Sequence, residues 1–132
     1  MSVMMASLNK IHTDVSKPHI IDLKKAFCSN NFVYIFTELA SAGDMYSYLD
    51  SRGGTVDDLE GRVISRQILL ALEYMHSNRI AHRDLKPENI LIMQTYSFGC
   101  RVVLTDFGFA NHTDQKSGRF MSRVGTDGYC AP

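Results

Sequence analysis

Cysteine is scarce in this sequence and badly placed for cross-linking. Cys28, Cys100 and Cys130 are odd in number, far apart and without a Cys-x-x-Cys pair. A disulfide framework or a paired-cysteine zinc site is therefore excluded, and reduced thiols are expected. A surplus of one charge is also lacking, since Lys and Arg (14) balance Asp and Glu (14). Nothing in that balance argues for nucleic acid or an anionic membrane surface as a partner. No apolar run approaches the length that crosses a bilayer. Met1 to Ala6 is too short for a signal-peptide core and has no basic residue before it. The expected location is intracellular, in cytoplasm or nucleus. Repeats and low-complexity segments are absent as well.

The 132 residues are 45% hydrophobic and 21% charged, which suits one small globular domain or part of a larger one. Residues 1–11 read as the end of a helix, with Met4, Met5, Leu8 and Ile11 on one face, broken by Lys17-Pro18. Ile20 to Phe27 and Phe32 to Glu38 read as strands around the polar turn Cys28-Ser29-Asn30-Asn31. A short helix is expected from Met45 to Asp50. The clearest helix begins at Thr55, where Thr55-Val56-Asp57-Asp58 resembles a capping box, and ends at Ser77-Asn78. Its expected buried face is Leu59, Val63, Ile64, Gln67, Ile68, Ala71, Leu72 and Met75. Ile80 to His82, Ile90 to Met93 and Arg101 to Thr105 read as short strands with polar motifs between them. Asn111 to Val124 reads as an exposed loop.

Two of those motifs carry defined chemistry. The first is His82-Arg83-Asp84-Leu85-Lys86-Pro87-Glu88-Asn89, and the second, further on, is Asp106-Phe107-Gly108. Phosphoryl transfer needs a positioned hydroxyl, shielded phosphate charge and a metal ion. Asp84 is suited to orient the hydroxyl and take its proton. Lys86 is suited to offset charge on the transferred phosphate. Asn89 and Asp106 offer the hard oxygen donors that Mg2+ prefers. Gly108 frees the backbone to aim Asp106.

Together with Gly125-Thr126, Tyr129 and Ala131-Pro132, these motifs resemble the eukaryotic protein kinase family. The resemblance implies an α+β, two-lobed fold and transfer of the ATP γ-phosphate to a protein hydroxyl, with ATP and Mg2+ bound. Lys86 and Thr126 point to the serine/threonine type. Residues 1–38 would then be the end of the small lobe, 39–43 the hinge, and 44–132 the start of the large lobe. Backbone groups near Glu38 and Ala40 would meet the adenine edge, with Thr37 at the gatekeeper position. Asp44 would reach ribose, and Leu91 would lie beneath adenine.

The resemblance also implies regulation. Arg83 precedes the catalytic Asp84, an arrangement that goes with control by activation-loop phosphorylation. Ser122 matches a frequent activating site, with Ser117 and Thr113 as lesser candidates. Phe109-Ala110 and the Gly-Asp-Met-Tyr-Ser-Tyr-Leu segment resemble the calcium/calmodulin-dependent and checkpoint kinase group. Glu88 and Asp44 would then favour protein substrates that are basic upstream of the target. Asp127 departs from the family, which usually has proline there.

The family's glycine-rich loop and strand lysine match no segment of this sequence, so a partial catalytic domain is expected. Large side chains on the Leu59 to Met75 helix left in water would forfeit roughly 1.5–3 kcal/mol each. Against a total stability of about 5–15 kcal/mol, that predicts a marginal, aggregation-prone or partner-dependent chain with little transfer activity alone. A second function stays open: an inactive kinase fragment acting as an interaction or decoy module.

Overall fold

The computed structural model describes residues 17–97, 99–112 and 124–129. The helix expected over 1–11 and the candidates Thr113, Ser117 and Ser122 lie outside these residues. Three two-stranded antiparallel sheets and two helices make up the described part.

Strands β1 (Leu23–Cys28) and β2 (Val33–Thr37) form the expected hairpin, with Leu23 opposite Thr37 and Cys28 opposite Val33. Each is shorter than the apolar pattern suggested. Ile20 and Ile21 are buried but belong to a different neighbour. Ile20 bridges Leu104 in parallel, the Ile21 N–H donates to the Leu104 carbonyl at 3.0 Å, and the Leu104 N–H donates to the His19 carbonyl at 2.8 Å. His19 turns the chain there with φ 51° and donates from Nδ1 to the Val102 carbonyl at 3.0 Å.

Helix α1 runs from Met45 to Asp50, the predicted span. Asp44 caps it, accepting from the Ser47 N–H at 2.9 Å and the Ser47 hydroxyl at 3.0 Å. Helix α2 spans Asp58–Ser77 and starts later than Thr55. Its cap is Asp57, which accepts from the Glu60 N–H at 2.9 Å. Three side-chain oxygens close together in sequence competed for that role, and the second of them won. The buried face of α2 is Glu60, Ile64, Ala71 and Met75, while Leu59 is 63% exposed, against expectation. The helix turns Glu60 inward because partners wait for it. Arg52 pairs with Glu60 at 2.8 Å, and the Tyr48 hydroxyl donates to its other oxygen. A buried carboxylate is tolerated when paired in this way.

The core lies between α2 and the hairpin of β4 (Ile90–Tyr96) and β5 (Gly99–Leu104), which follow the two-residue strand β3 (Ile80–Ala81). Met75, Ile80, Ile92, Val102, Val103 and Leu104 are its largest fully buried side chains, with Cys100 beside them. Gln67 ties the two layers. Its amide donates to the Cys100 carbonyl at 2.8 Å and accepts from the Val102 N–H at 3.0 Å, as a neighbouring strand would. Asn111–His112, expected as loop, is a short strand, β6, paired to β3. Cys28 and Cys100 are free thiols, the first exposed and the second buried. Among the described residues, no helix is long and apolar enough to cross a membrane.

Candidate active site

The segment from His82 to Asn89 joins β3 to β4 and is fixed at both ends against Thr105. The Thr105 N–H donates to the Asn89 carbonyl at 3.0 Å. The buried His82 donates from Nε2 to the Thr105 carbonyl at 2.8 Å, and its Nδ1 accepts from the Asp84 N–H at 3.4 Å. Burial pushes the His82 imidazolium below its ordinary range, and the Thr105 carbonyl only partly offsets this. The His82 ring also packs on Phe107, with ring centroids 5.3 Å apart. Pro87–Asn89 closes the segment in a 3-10 turn that turns the Asn89 side chain inward.

Asp84 is the focus of the inward side chains. Thr126 donates its hydroxyl to Oδ1 at 2.6 Å, across 42 positions of chain. Asn89 donates from Nδ2 to Oδ2 at 3.0 Å and to the Asp84 carbonyl at 2.9 Å. Lys86 Nζ lies 3.1 Å from Oδ2 and donates to the Thr126 oxygen at 2.7 Å. These donors, with Thr126 foremost, hold the Asp84 carboxyl below the usual carboxylate range although burial opposes them. An ionised carboxylate has about four lone-pair sites. The three described donors leave room for one more hydroxyl.

Asp106 follows β5 and lies in the left-handed region, φ 56°. Its Oδ1 accepts from the Gly108 N–H at 3.1 Å. A Cβ on Gly108 would sit 3.0 Å from that oxygen, so glycine eases the close approach, although Gly108 does not itself have the positive φ that would require it. Arg83 also has positive φ and donates from Nε to the Phe109 carbonyl at 2.7 Å, which joins the two motifs directly.

Thr37 ends β2 and is exposed. The Glu38 N–H donates to the Asp22 carbonyl at 2.9 Å, and its carboxylate accepts from the Asp22 N–H at 3.0 Å. Ala40 lies in the non-regular segment that follows. Asp44 forms an antiparallel bridge with Leu91, so these two candidates are neighbours. The two carboxylate oxygens of Asp44 are occupied in capping α1, and the Ser47 N–H chiefly holds its carboxyl below the ordinary range. Glu88 is exposed. Sequence reasoning had Gln67 only as part of an apolar stripe. Its signal was a polar side chain at a buried helical position.

The family model for the protein kinase domain matches residues 5–132. The chain belongs to the protein kinase family. Among the chain's relatives is the meiosis-specific serine/threonine-protein kinase MEK1 of Saccharomyces cerevisiae, 43% identical over 119 residues. That match covers 87% of the chain and 24% of the relative. A calcium/calmodulin-dependent protein kinase, cmkA of Emericella nidulans, is 36% identical over 118 residues, covering 89% of this chain and 28% of its own. The crystal structure of Rad53 in complex with AMP-PNP superposes with TM-score 0.71 at 39% identity, over 82% of this chain and 28% of that one. The kinase fold is therefore shown, α+β as expected. The chain spans about a quarter of the length of these two curated relatives.

Proposed function

We propose that this chain carries the catalytic loop of an ATP- and Mg2+-dependent serine/threonine protein kinase. The observation that supports this most is the closed contact of Asp84, Lys86 and Thr126, with Asn89 on the remaining side. In the proposed reaction, Asp84 orients the substrate hydroxyl through its remaining lone pair. The hydroxyl oxygen forms a bond to the γ-phosphorus, the bond from that phosphorus to the β-γ bridging oxygen breaks, and ADP leaves. The hydroxyl proton passes to Asp84. A carboxyl held low is a weak base, so its larger contribution is positioning. Lys86 balances charge on the transferred group.

Asn89 and Asp106 would hold Mg2+. Asn89 uses its amide nitrogen on Asp84, which turns its oxygen to the other side, and Asp106 keeps one oxygen clear of Gly108. One carboxylate and one amide oxygen, completed by phosphate and water, fit the hard-ligand preference of this ion. The metal would shield phosphate charge.

The remaining assignments belong to the same reading. Residues 1–38 end the small lobe, 39–43 form the hinge and 44–132 start the large lobe. Backbone groups of Glu38 and Ala40 bind adenine, Thr37 guards the pocket behind it, and Leu91 lies beneath. Asp44 reaches ribose once its cap bonds rearrange. Arg83 answers to phosphorylation at Ser122. Glu88 and Asp44 favour basic residues upstream of the target, and the protein works in cytoplasm or nucleus. A non-catalytic binding module has no need to supply Asp84 with three donors.

The test is transfer of labelled γ-phosphate to serine peptides by the full native protein. The expected result is metal-dependent transfer that Asp84→Asn lowers by about 10²- to 10⁴-fold. Equal transfer by the variant would sink the reading.

A further inference from the structure

Leu23 and Thr37 are the last residues paired at one end of the β1–β2 ladder, and the next facing positions are Asp22 and Glu38. The Glu38 N–H donates to the Asp22 carbonyl at 2.9 Å, as a continued ladder requires. A hydrogen-bonded antiparallel pair exchanges two such bonds, so the Asp22 N–H is expected to return one to the Glu38 carbonyl. That N–H donates instead to Glu38 Oε1 at 3.0 Å. The side chain of Glu38 thus takes the place of its own main-chain oxygen. No hydrogen bond between described residues ends on that oxygen.

The surroundings hold this arrangement in place. The Asp22 carboxylate pairs with Lys24 at 2.6 Å and with Lys17 at 3.0 Å. Lys24 first and Lys17 second lower the Asp22 carboxyl to about 2, so it stays ionised and paired at neutral pH. Beyond Glu38 the chain is anchored again. The Ala42 N–H donates to the Ile92 carbonyl at 3.2 Å, and the Ile92 N–H donates to the Gly43 carbonyl at 2.8 Å. Residues 39–41 cross between these two anchors and lie in no helix or strand. The Glu38 carbonyl stands at the head of that crossing.

A main-chain N–H is an obligatory donor. With the carboxylate removed, the Asp22 N–H has the carbonyl of residue 38 as its ladder acceptor. Completing the regular pair would draw that carbonyl toward Asp22 and away from any other donor. The carboxylate prevents this by satisfying the N–H from a side chain.

We infer that Glu38 is a positioning residue for the nucleotide: its carboxylate occupies the Asp22 N–H and so releases the Glu38 carbonyl to accept from the 6-amino group of adenine. This deepens the adenine contact proposed above and rests on it. The test uses the full native protein and two nucleotides, ATP and purine riboside 5′-triphosphate, which lacks only the 6-amino group. Affinities are measured by displacement of a fluorescent ATP analogue with Mg2+ present, so the comparison needs no phosphate transfer.

ATP is expected to bind about fivefold more tightly than the analogue without the amine, the scale of one hydrogen bond. Glu38→Ala should bring that ratio close to one. Glu38→Asp, which keeps the charge and shortens the reach by one carbon, should narrow it too. Glu38→Gln, which keeps an oxygen acceptor at full reach, should preserve it. A merely structural role would weaken both nucleotides together and leave the ratio intact. A ratio unchanged in Glu38→Ala and Glu38→Asp would therefore overturn the inference and leave the adenine contact standing. A ratio of one in the unsubstituted protein would strike the adenine contact itself, and this inference with it.

Discussion

The hydroxyl of Thr126 donates to the carboxylate of Asp84 at 2.6 Å, and Lys86 closes the triangle by donating to the same hydroxyl oxygen at 2.7 Å. A residue near the end of the described chain thereby fixes the rotamer and charge state of one at its centre. Hydrogen bonds to a charged group contribute about 1.5–3 kcal/mol. Thr126→Ala is expected to lower kcat/KM for peptide phosphorylation by about ten- to a hundredfold. Thr126→Ser, which keeps the oxygen, should recover most of it. Steady-state kinetics on the full protein decides this, and full activity in Thr126→Ala would remove Thr126 from the mechanism.

Tyr48, Arg52 and Glu60 join α1 to α2. Arg52 also stacks over the Tyr48 ring, 4.3 Å from its centroid. Burial first, and the Glu60 carboxylate second, push the Tyr48 phenol up to about 12. Ultraviolet titration should therefore show a late tyrosine ionisation that belongs to Tyr48. Tyr48→Phe should abolish that late step and cost about 1–3 kcal/mol in urea unfolding, because a buried carboxylate loses a donor. Unchanged stability would mean that the contact does not hold the helices together.

The outward face of α2 predicts behaviour in solution. Leu69 is 64% exposed and lines a shallow groove with Arg62, Ser65, Arg66, Leu70 and Glu73. Leu59 is exposed on the same helix, and Phe32, Val33 and Phe36 are exposed on the β1–β2 hairpin. Exposed apolar surface of this kind promotes association. Replacing Leu59 and Leu69 with Lys should reduce the concentration-dependent association of the 132-residue chain measured by light scattering. Its melting temperature should barely move, as exposed substitutions usually stay within about 0.5 kcal/mol. Association unaffected by both changes would place the sticky surface elsewhere.

Local elements and motif positions were legible in the sequence, and non-local pairing was not. The motif residues Asp84, Lys86 and Asn89 could be picked out by type and spacing, and the structure brings them into contact. Helix α1 was bounded correctly because Gly43-Asp44 and Gly53-Gly54 punctuate it. The inward turn of Glu60 could not be read from α2 alone, since its partners Tyr48 and Arg52 belong to another segment. Ile20 looked like the start of β1, yet its ladder partner is Leu104. The pairing of Ile80 with His112 spans too much chain for any local pattern to announce it. Asp57 displaced Thr55 as the cap because both offer a suitable oxygen and the tertiary position of the helix decides between them.

His82 makes stability depend on pH with a definite sign. Its Nε2–H donates to the Thr105 carbonyl and its Nδ1 accepts from the Asp84 N–H, and only the neutral ring does both. Protonation would set a hydrogen on Nδ1 against that N–H and place a charge in a buried site. The folded imidazole therefore ionises below the ordinary value of 6.5, at which the unfolded chain takes up its proton. Between those two points the unfolded state binds more protons. The contribution is complete above 6.5 and is lost as pH falls from there to the folded value, at no more than about 1.4 kcal/mol per pH unit. Urea unfolding at pH 7.5, 6.5 and 5.5 stays above the range where the lowered carboxyls Asp22, Asp44 and Asp84 titrate. Stability should decline across that series, and His82→Asn, less stable throughout, should show a flatter slope. Equal slopes in the two proteins would mean that His82 keeps an ordinary pKa, and that the ring does not depend on neutrality to hold Asp84 against Thr105.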